Sequence, residues 1–299
     1  MPNLKFAGKI LVFFLLAGMF PAPCRAFSSD DGPAEALRED VRFLTDSTAN
    51  SGRRFGCAGA QNSVFYVHRR FKDAGLWTRV QSFKSEDGTG HNVIGITPGF
   101  FSQYIVVGAY FDGLGIVGGR HYPGADCNAS GIAAMLSLAG SLGRKCRRDT
   151  GIIFVAFDGH NADMSGSRNF VEEYLPGRRI VMMVNLDIIG SSLAPVNERL
   201  KDYLIVLGGA DRCWELESAG RGLGLHLSYD YYGSTRFTEL FYKGISDQKW
   251  FIQKRIPSLM FTSGITMNTF KTTDTADTLD YPLMAKRVLL IERWLMTLI

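Results

Sequence analysis

Beyond its first 26 residues the chain has no apolar run long and unbroken enough to cross a bilayer. It has no internal repeat and no stretch rich enough in proline or serine to act as a linker, so nothing divides it into two domains. It also lacks an excess of one charge. Lys5, Lys9 and Arg25 fall within the first 26 residues with no acid beside them; without that segment, 30 basic residues face 29 acidic ones, a net charge of +1. Nothing in that balance suggests a surface built for nucleic acid. The cluster Arg144, Lys145, Arg147 and Arg148 reads as a solvated helix end. Cysteines are few, and none has the spacing of a zinc knuckle or a small disulfide scaffold.

The N-terminus is different. Two lysines precede the apolar run Ile10–Phe20, and the small-residue exit Pro21–Ala26 follows. This order describes a secretory signal peptide over residues 1–26, with cleavage after Ala26. A lipid anchor on Cys24 is the weaker alternative, because Pro23 sits directly before it. The expected product is exported, periplasmic or secreted, as a single domain over residues 27–299. Of the four cysteines then left, Cys57, Cys127, Cys146 and Cys213, the expectation is mainly buried thiols, with pairing open.

Helical spacing is expected over Ala34–Leu44, Asn62–Leu76, Asn128–Leu142, Ser165–Tyr174, Ala210–Gly220, Asp247–Gln253 and Leu283–Leu298. Val64, Phe65, Val67, Phe71 and Leu76 form one candidate buried stripe. Strands are expected over Thr78–Phe83, Asn92–Thr97, Tyr104–Ala109, Ile152–Phe157, Ile180–Ile188, Tyr203–Leu207 and Pro257–Thr262. The region 224–245 reads as aromatic loop. Strands and helices alternate, which predicts an α/β fold: a three-layer α/β/α sandwich around a mixed, mostly parallel sheet. Three apolar strands deliver polar residues at their C-terminal ends: Tyr110 to Asp112, Asp158 to Asn161, and Asp187. Open α/β sheets keep their sites at such strand ends. The long glycine-rich loop 111–127 lies beside them.

These residues resemble the co-catalytic zinc aminopeptidases and their glutaminyl-cyclase relatives (peptidase clan MH, family 28), over about residues 36–298. The resemblance rests on Gly52-Arg-Arg-Phe-Gly56, Asn92-Val-Ile-Gly95, Pro123-Gly-Ala-Asp-Cys-Asn-Ala-Ser-Gly131, Ser246-Asp247, Asp274-Thr275 and Leu279-Asp280-Tyr281. It implies the zinc-exopeptidase fold and a site for two zinc ions. Carried over one position at a time, it places the first histidine ligand at Tyr110 and the bridging aspartate at Asp126, with Cys127 beside it. The general base falls at His160, a glutamate ligand at Asn161, the second aspartate at Asp187 and the last histidine at Phe270. Only Asp126 and Asp187 keep ligand chemistry. Asp112, Cys127 and Asp247 are expected to line the same pocket.

Two aspartates with an amide and a neutral phenol make a poor zinc site. The expectation is therefore a pseudoenzyme: zinc lost, the old pocket kept for a peptide or small molecule, and the protein partner unknown. One alternative is an active metallohydrolase whose rebuilt site gathers Asp112, Asp126, Asp187, His160 and His121 round a weakly held single metal. Another is a thiol hydrolase using Cys127 and His160. The aromatics Tyr229, Tyr231, Tyr232, Phe237, Phe241 and Trp250 are expected either to line the pocket or to pack beneath a loop.

Overall fold

The computed structural model describes residues 32–50, 52–146, 149–193 and 202–299. The expected signal peptide, Cys24, Arg147 and Arg148 lie outside the described residues. Among the described residues, no helix is long and apolar enough to cross a membrane.

Helices α1 (Pro33–Thr45), α2 (Ser47–Asn50) and α3 (Ala58–Asp73) lead into the antiparallel pair β1 (Trp77–Ser85) and β2 (Gly88–Ile96). Strand β3 (Gln103–Tyr110) is followed by the small hairpin of β4 (Gly115–Val117) and β5 (Arg120–Tyr122), then a wide turn over Ala125–Ala129 and helix α4 (Ser130–Leu142). Next come β6 (Thr150–Phe157), α5 (Ser165–Asn169), a wide turn over Phe170–Tyr174 and β7 (Ile180–Leu186). The chain continues through β8 (Tyr203–Leu207), α6 (Cys213–Ala219), β9 (His226–Ser228), α7 (Thr235–Lys243), α8 (Gln248–Gln253), β10 (Ser258–Thr262) and α9 (Tyr281–Met296).

Eight strands form one sheet in the order β1-β2-β6-β3-β7-β10-β8-β9. Its centre, from β6 through β3 and β7 to β10, is parallel. Every residue of β6 is buried, as a strand covered on both faces requires. Alternation along β3 sorts the two layers. Ile105, Val107 and Ala109 pack with α1, α3, α4 and α9, whereas Val106 and Tyr110 pack with Phe170, Tyr174 and Phe251 on the other face. Gly131 lets α4 sit against the end of β7: a Cβ there would lie 2.5 Å from the Leu186 carbonyl oxygen and 2.4 Å from the Asn128 side chain.

Three expectations need correction. Phe65 is 69% exposed, because the buried stripe of α3 runs through Val64, Val67 and Phe71, and Phe65 lies about 100° off it. The region 224–245 is not all loop. Ser234 accepts a hydrogen bond from the Phe237 N–H and caps α7, which buries no residue fully and so lacked a core-facing signal. Of the four cysteines only Cys127 is buried; Cys57 and Cys146 are half-buried, Cys213 is exposed, and all four are free thiols.

Candidate functional site

The parallel strands β3, β6 and β7 end side by side and bring the predicted polar tips together. Asp112, just beyond β3, is fully buried, and burial pushes its carboxyl above the usual range. It is answered by donors from the β6 tip: the His160 N–H at 2.8 Å, the Asn161 N–H at 3.0 Å and the Asn161 side-chain amide at 3.1 Å. Asn161 is thus turned toward Asp112.

His160 lies flat on Tyr110, ring centroids 3.6 Å apart and planes within 10°. Its Nδ1 is 2.8 Å from Asp247, which is fully buried immediately before α8. Burial works to lower the His160 pKa, but Asp247, then Asp187 and Asp112, outweigh it and raise it to about 9. At neutral pH the ring is therefore an imidazolium. Asp187 follows β7, and its carboxylate accepts a hydrogen bond from Ser246 at 2.6 Å; Ser246 in turn accepts from Asn185 at 2.8 Å. Burial raises Asp187 despite the His160 charge. One oxygen each of Asp187 and Asp247 has no donor.

The Tyr110 hydroxyl is 3.1 Å from the Cys127 sulfur. Burial, then Asp187, pushes the Tyr110 phenol well above 10 and the Cys127 thiol well above 9, so both keep their protons at neutral pH.

The structure parts Asp126 from this cluster. Its carboxylate accepts from the Gly190 N–H at 2.8 Å and from the Ser191 hydroxyl, and it fastens the segment after β7. Backbone geometry inside the turn (φ −114°, ψ 77° at Cys127) interrupts the helical winding, so the residue facing Tyr110 is Cys127, one position later. Phe270 is also displaced from the cluster. It is 55% exposed in a left-handed conformation (φ 60°) and sits with Lys271 at the mouth of the cavity above Cys127 and Asn161. That cavity measures about 10 Å³, room for a single water. His121, on β5, belongs to the neighbourhood of Arg53 and Asp46, where burial, then Arg53, lowers its pKa. Tyr231 stacks on Phe241 at 4.2 Å and packs with Tyr203, Ile205 and Met260, so these two aromatics are core beneath a loop. Trp250 lies apart from them, with Arg168 5.1 Å from its ring.

Two arginines that the sequence did not mark hold the loops round the site. Arg53 donates to the carbonyls of Leu44, Phe111, Pro123 and Gly124. Arg287 donates to the carbonyls of Ile189, Ser191 and Tyr203. Asp274 caps the turn from outside, accepting from the N–H groups of Asp126 and Cys127 at 2.8 and 3.1 Å. Among the described residues, no group of three or more His, Cys, Asp or Glu side chains is placed to hold a metal ion.

The Cys127 environment gives a direct labelling prediction. Iodoacetamide at neutral pH should alkylate the exposed Cys213 first and leave Cys127 unmodified in the folded protein. Peptide mapping checks the order, and selective alkylation of Cys127 would contradict it.

Similar proteins agree with this architecture. Leupeptin-inactivating enzyme 1 of Streptomyces exfoliatus is 28% identical over 243 residues, 72% of this chain and 53% of the relative. The alkaline phosphatase isozyme conversion protein of Escherichia coli K12 is 26% identical over 192 residues, 56% of this chain and 55% of the relative. The chain thus spans about half the length of these curated relatives. Among solved structures, the zinc aminopeptidase BSAP of Bacillus subtilis superposes with a TM-score of 0.71 at 16% identity, covering 89% of this chain and 95% of that one. The glutaminyl cyclase of Porphyromonas gingivalis gives 0.70 at 16% identity, covering 89% and 98%. Residues 92–294 match the sequence profile of Peptidase family M28, and on that match, over more than half its length, the chain belongs to this family.

Proposed function

We propose that this protein is a non-catalytic member of its family: an exported domain, residues 27–299 behind a signal peptide at 1–26, that has lost the dinuclear zinc site. The observation that carries this reading is the stack of His160 on Tyr110, closed at one end by Asp247 and at the other by Cys127. Zinc in this family implies imidazole and carboxylate donors round an open position. The side chains present do not fit that requirement. Tyr110 and Cys127 are protonated and bonded to each other, Asn161 and Asp112 satisfy one another, Asp126 is spent on Gly190 and Ser191, and Phe270 faces outward. His160, at the base position, is stacked on Tyr110 and turned to Asp247, whose charge favours its protonated form.

The two catalytic alternatives lack support in this arrangement. Of the residues a rebuilt single-metal site would gather, Asp112 accepts from the His160 N–H, Asp126 from Gly190, His160 pairs with Asp247, and His121 lies beside Arg53, which leaves Asp187 with one oxygen uncommitted. A thiol hydrolase would need Cys127 activated by His160, but the sulfur pairs with Tyr110 and burial opposes the thiolate. Kinship with aminopeptidases supports a peptide as ligand of the old pocket, and such a peptide must displace Phe270 and Lys271 from a mouth that now admits one water. Assays on a panel of amino-acid arylamides, with zinc, manganese or cobalt added, should show no turnover above the metal-only control. Turnover abolished by Asp187→Ala would overturn the reading.

A further inference from the structure

A second concavity lies at the opposite end of the sheet, beside the first residue of β7, about 20 Å from the strand tips. It is a groove of about 440 Å³ between the segment Leu175–Arg179 and the end of α8. Its floor is apolar, formed by Val171, Leu175, Ile180 and Ile256, and its rim carries Arg178, Arg179 and Lys254. A further cavity of about 170 Å³ shares Val171, Glu172 and Lys254 with it and runs on to Trp250.

Among the described residues none of the three rim cations forms an ion pair within 4.0 Å; Asp149 feels the charge of Arg179 but accepts its hydrogen bonds from Ser102, and Glu172, which also lines the groove, pairs with Arg168 at 3.2 Å. Arg178 is also held in place, its guanidinium 4.3 Å from the Tyr174 ring centre and bonded to the Tyr174 carbonyl. The concentration of positive charge is local, because the chain beyond residue 26 is almost neutral. Cations on the rim and the apolar floor of the larger cavity match an extended chain whose acidic and apolar side chains alternate; a small inorganic anion would leave the floor uncovered.

We propose that this groove binds an acidic peptide segment, its carboxylates on Arg178, Arg179 and Lys254 and its apolar side chains on the floor. The test is fluorescence anisotropy of the full chain with a labelled, acetylated and amidated peptide of alternating Glu and Leu; the blocked termini remove the groups an exopeptidase pocket would read. Binding should weaken about ten-fold in Arg178→Glu/Lys254→Glu and stay unchanged in Arg236→Glu, a charge reversal on α7 that lines neither cavity. If the double reversal does not fold, the exposed Lys254→Gln alone should weaken binding a few-fold. Several results would overturn the proposal: no binding by the unmodified protein, equal binding by the double reversal, equal binding of a Lys/Leu peptide, or preference for phosphatidylserine vesicles over the peptide.

Discussion

Asp247→Ala should lower the stability of the protein by about 3–5 kcal/mol at pH 7, because it removes the counter-charge that holds the proton on buried His160, which must then be released. Asp247 is fully buried and lies 2.8 Å from His160 Nδ1. For a domain of this size the loss corresponds to a fall in Tm of roughly 10 °C. The same substitution changes the pH profile. A histidine whose folded pKa stands at about 9, above its ordinary 6.5, adds stability that is complete below 6.5 and is lost as pH rises through 9. That shift is worth about 3 kcal/mol across the window. Two buried carboxyls act in the same direction. Asp158 and Asp274, raised by burial to about 7 and about 6, favour folding most when protonated, and that contribution is spent as pH rises from about 4 to those values. The unmodified protein should therefore be less stable at pH 10 than at pH 6, and Asp247→Ala should flatten the slope between pH 7 and 10. Urea denaturation at four pH values measures both effects. An unchanged slope in the variant would show that the His160–Asp247 pair does not hold the proton.

Arg53→Met should be as damaging, at about 3–5 kcal/mol, although it removes no apolar contact of the stem. The guanidinium is buried, which lowers its pKa to about 10, with Asp274 and Asp112 opposing the decrease. It gathers four carbonyls from three separate segments, and each buried acceptor left without a donor costs about 1–3 kcal/mol before the loops relax. The consequence should be local as well. The hairpin of β4 and β5 and the turn at Pro123–Gly124 lose their shared anchor, so limited proteolysis should cut first between residues 111 and 124. Loss below about 1 kcal/mol with no new cleavage there would show that the segment is held by other contacts.

The strand tips were legible in the sequence because buried parallel strands are continuous apolar runs, and the residue after each run must face the edge of the sheet. Tyr110, Asp112, His160, Asn161 and Asp187 were all found that way. The turn between β5 and α4 was not, because it follows no period. A resemblance counted along the chain placed the inward position at Asp126, and the backbone places it at Cys127. The pairing of His160 with Asp247 spans 87 residues and leaves no local trace. Arg53 stood in a quoted motif, yet nothing about an arginine between glycines announces four carbonyl partners. Helix α7 escaped because it buries nothing fully, so its apolar residues did not register as a core stripe.

The measurement that tests the central claim most directly is the zinc content of the purified protein, by elemental analysis after dialysis against micromolar zinc. The Tyr110–Cys127 hydrogen bond, the stack of His160 on Tyr110 and its pairing with Asp247 leave too few nitrogen and carboxylate donors facing one point, and predict far less than one zinc per chain. One or two zinc ions bound per chain, lost on Asp187→Ala, would contradict the account and return the protein to the catalytic branch of its family.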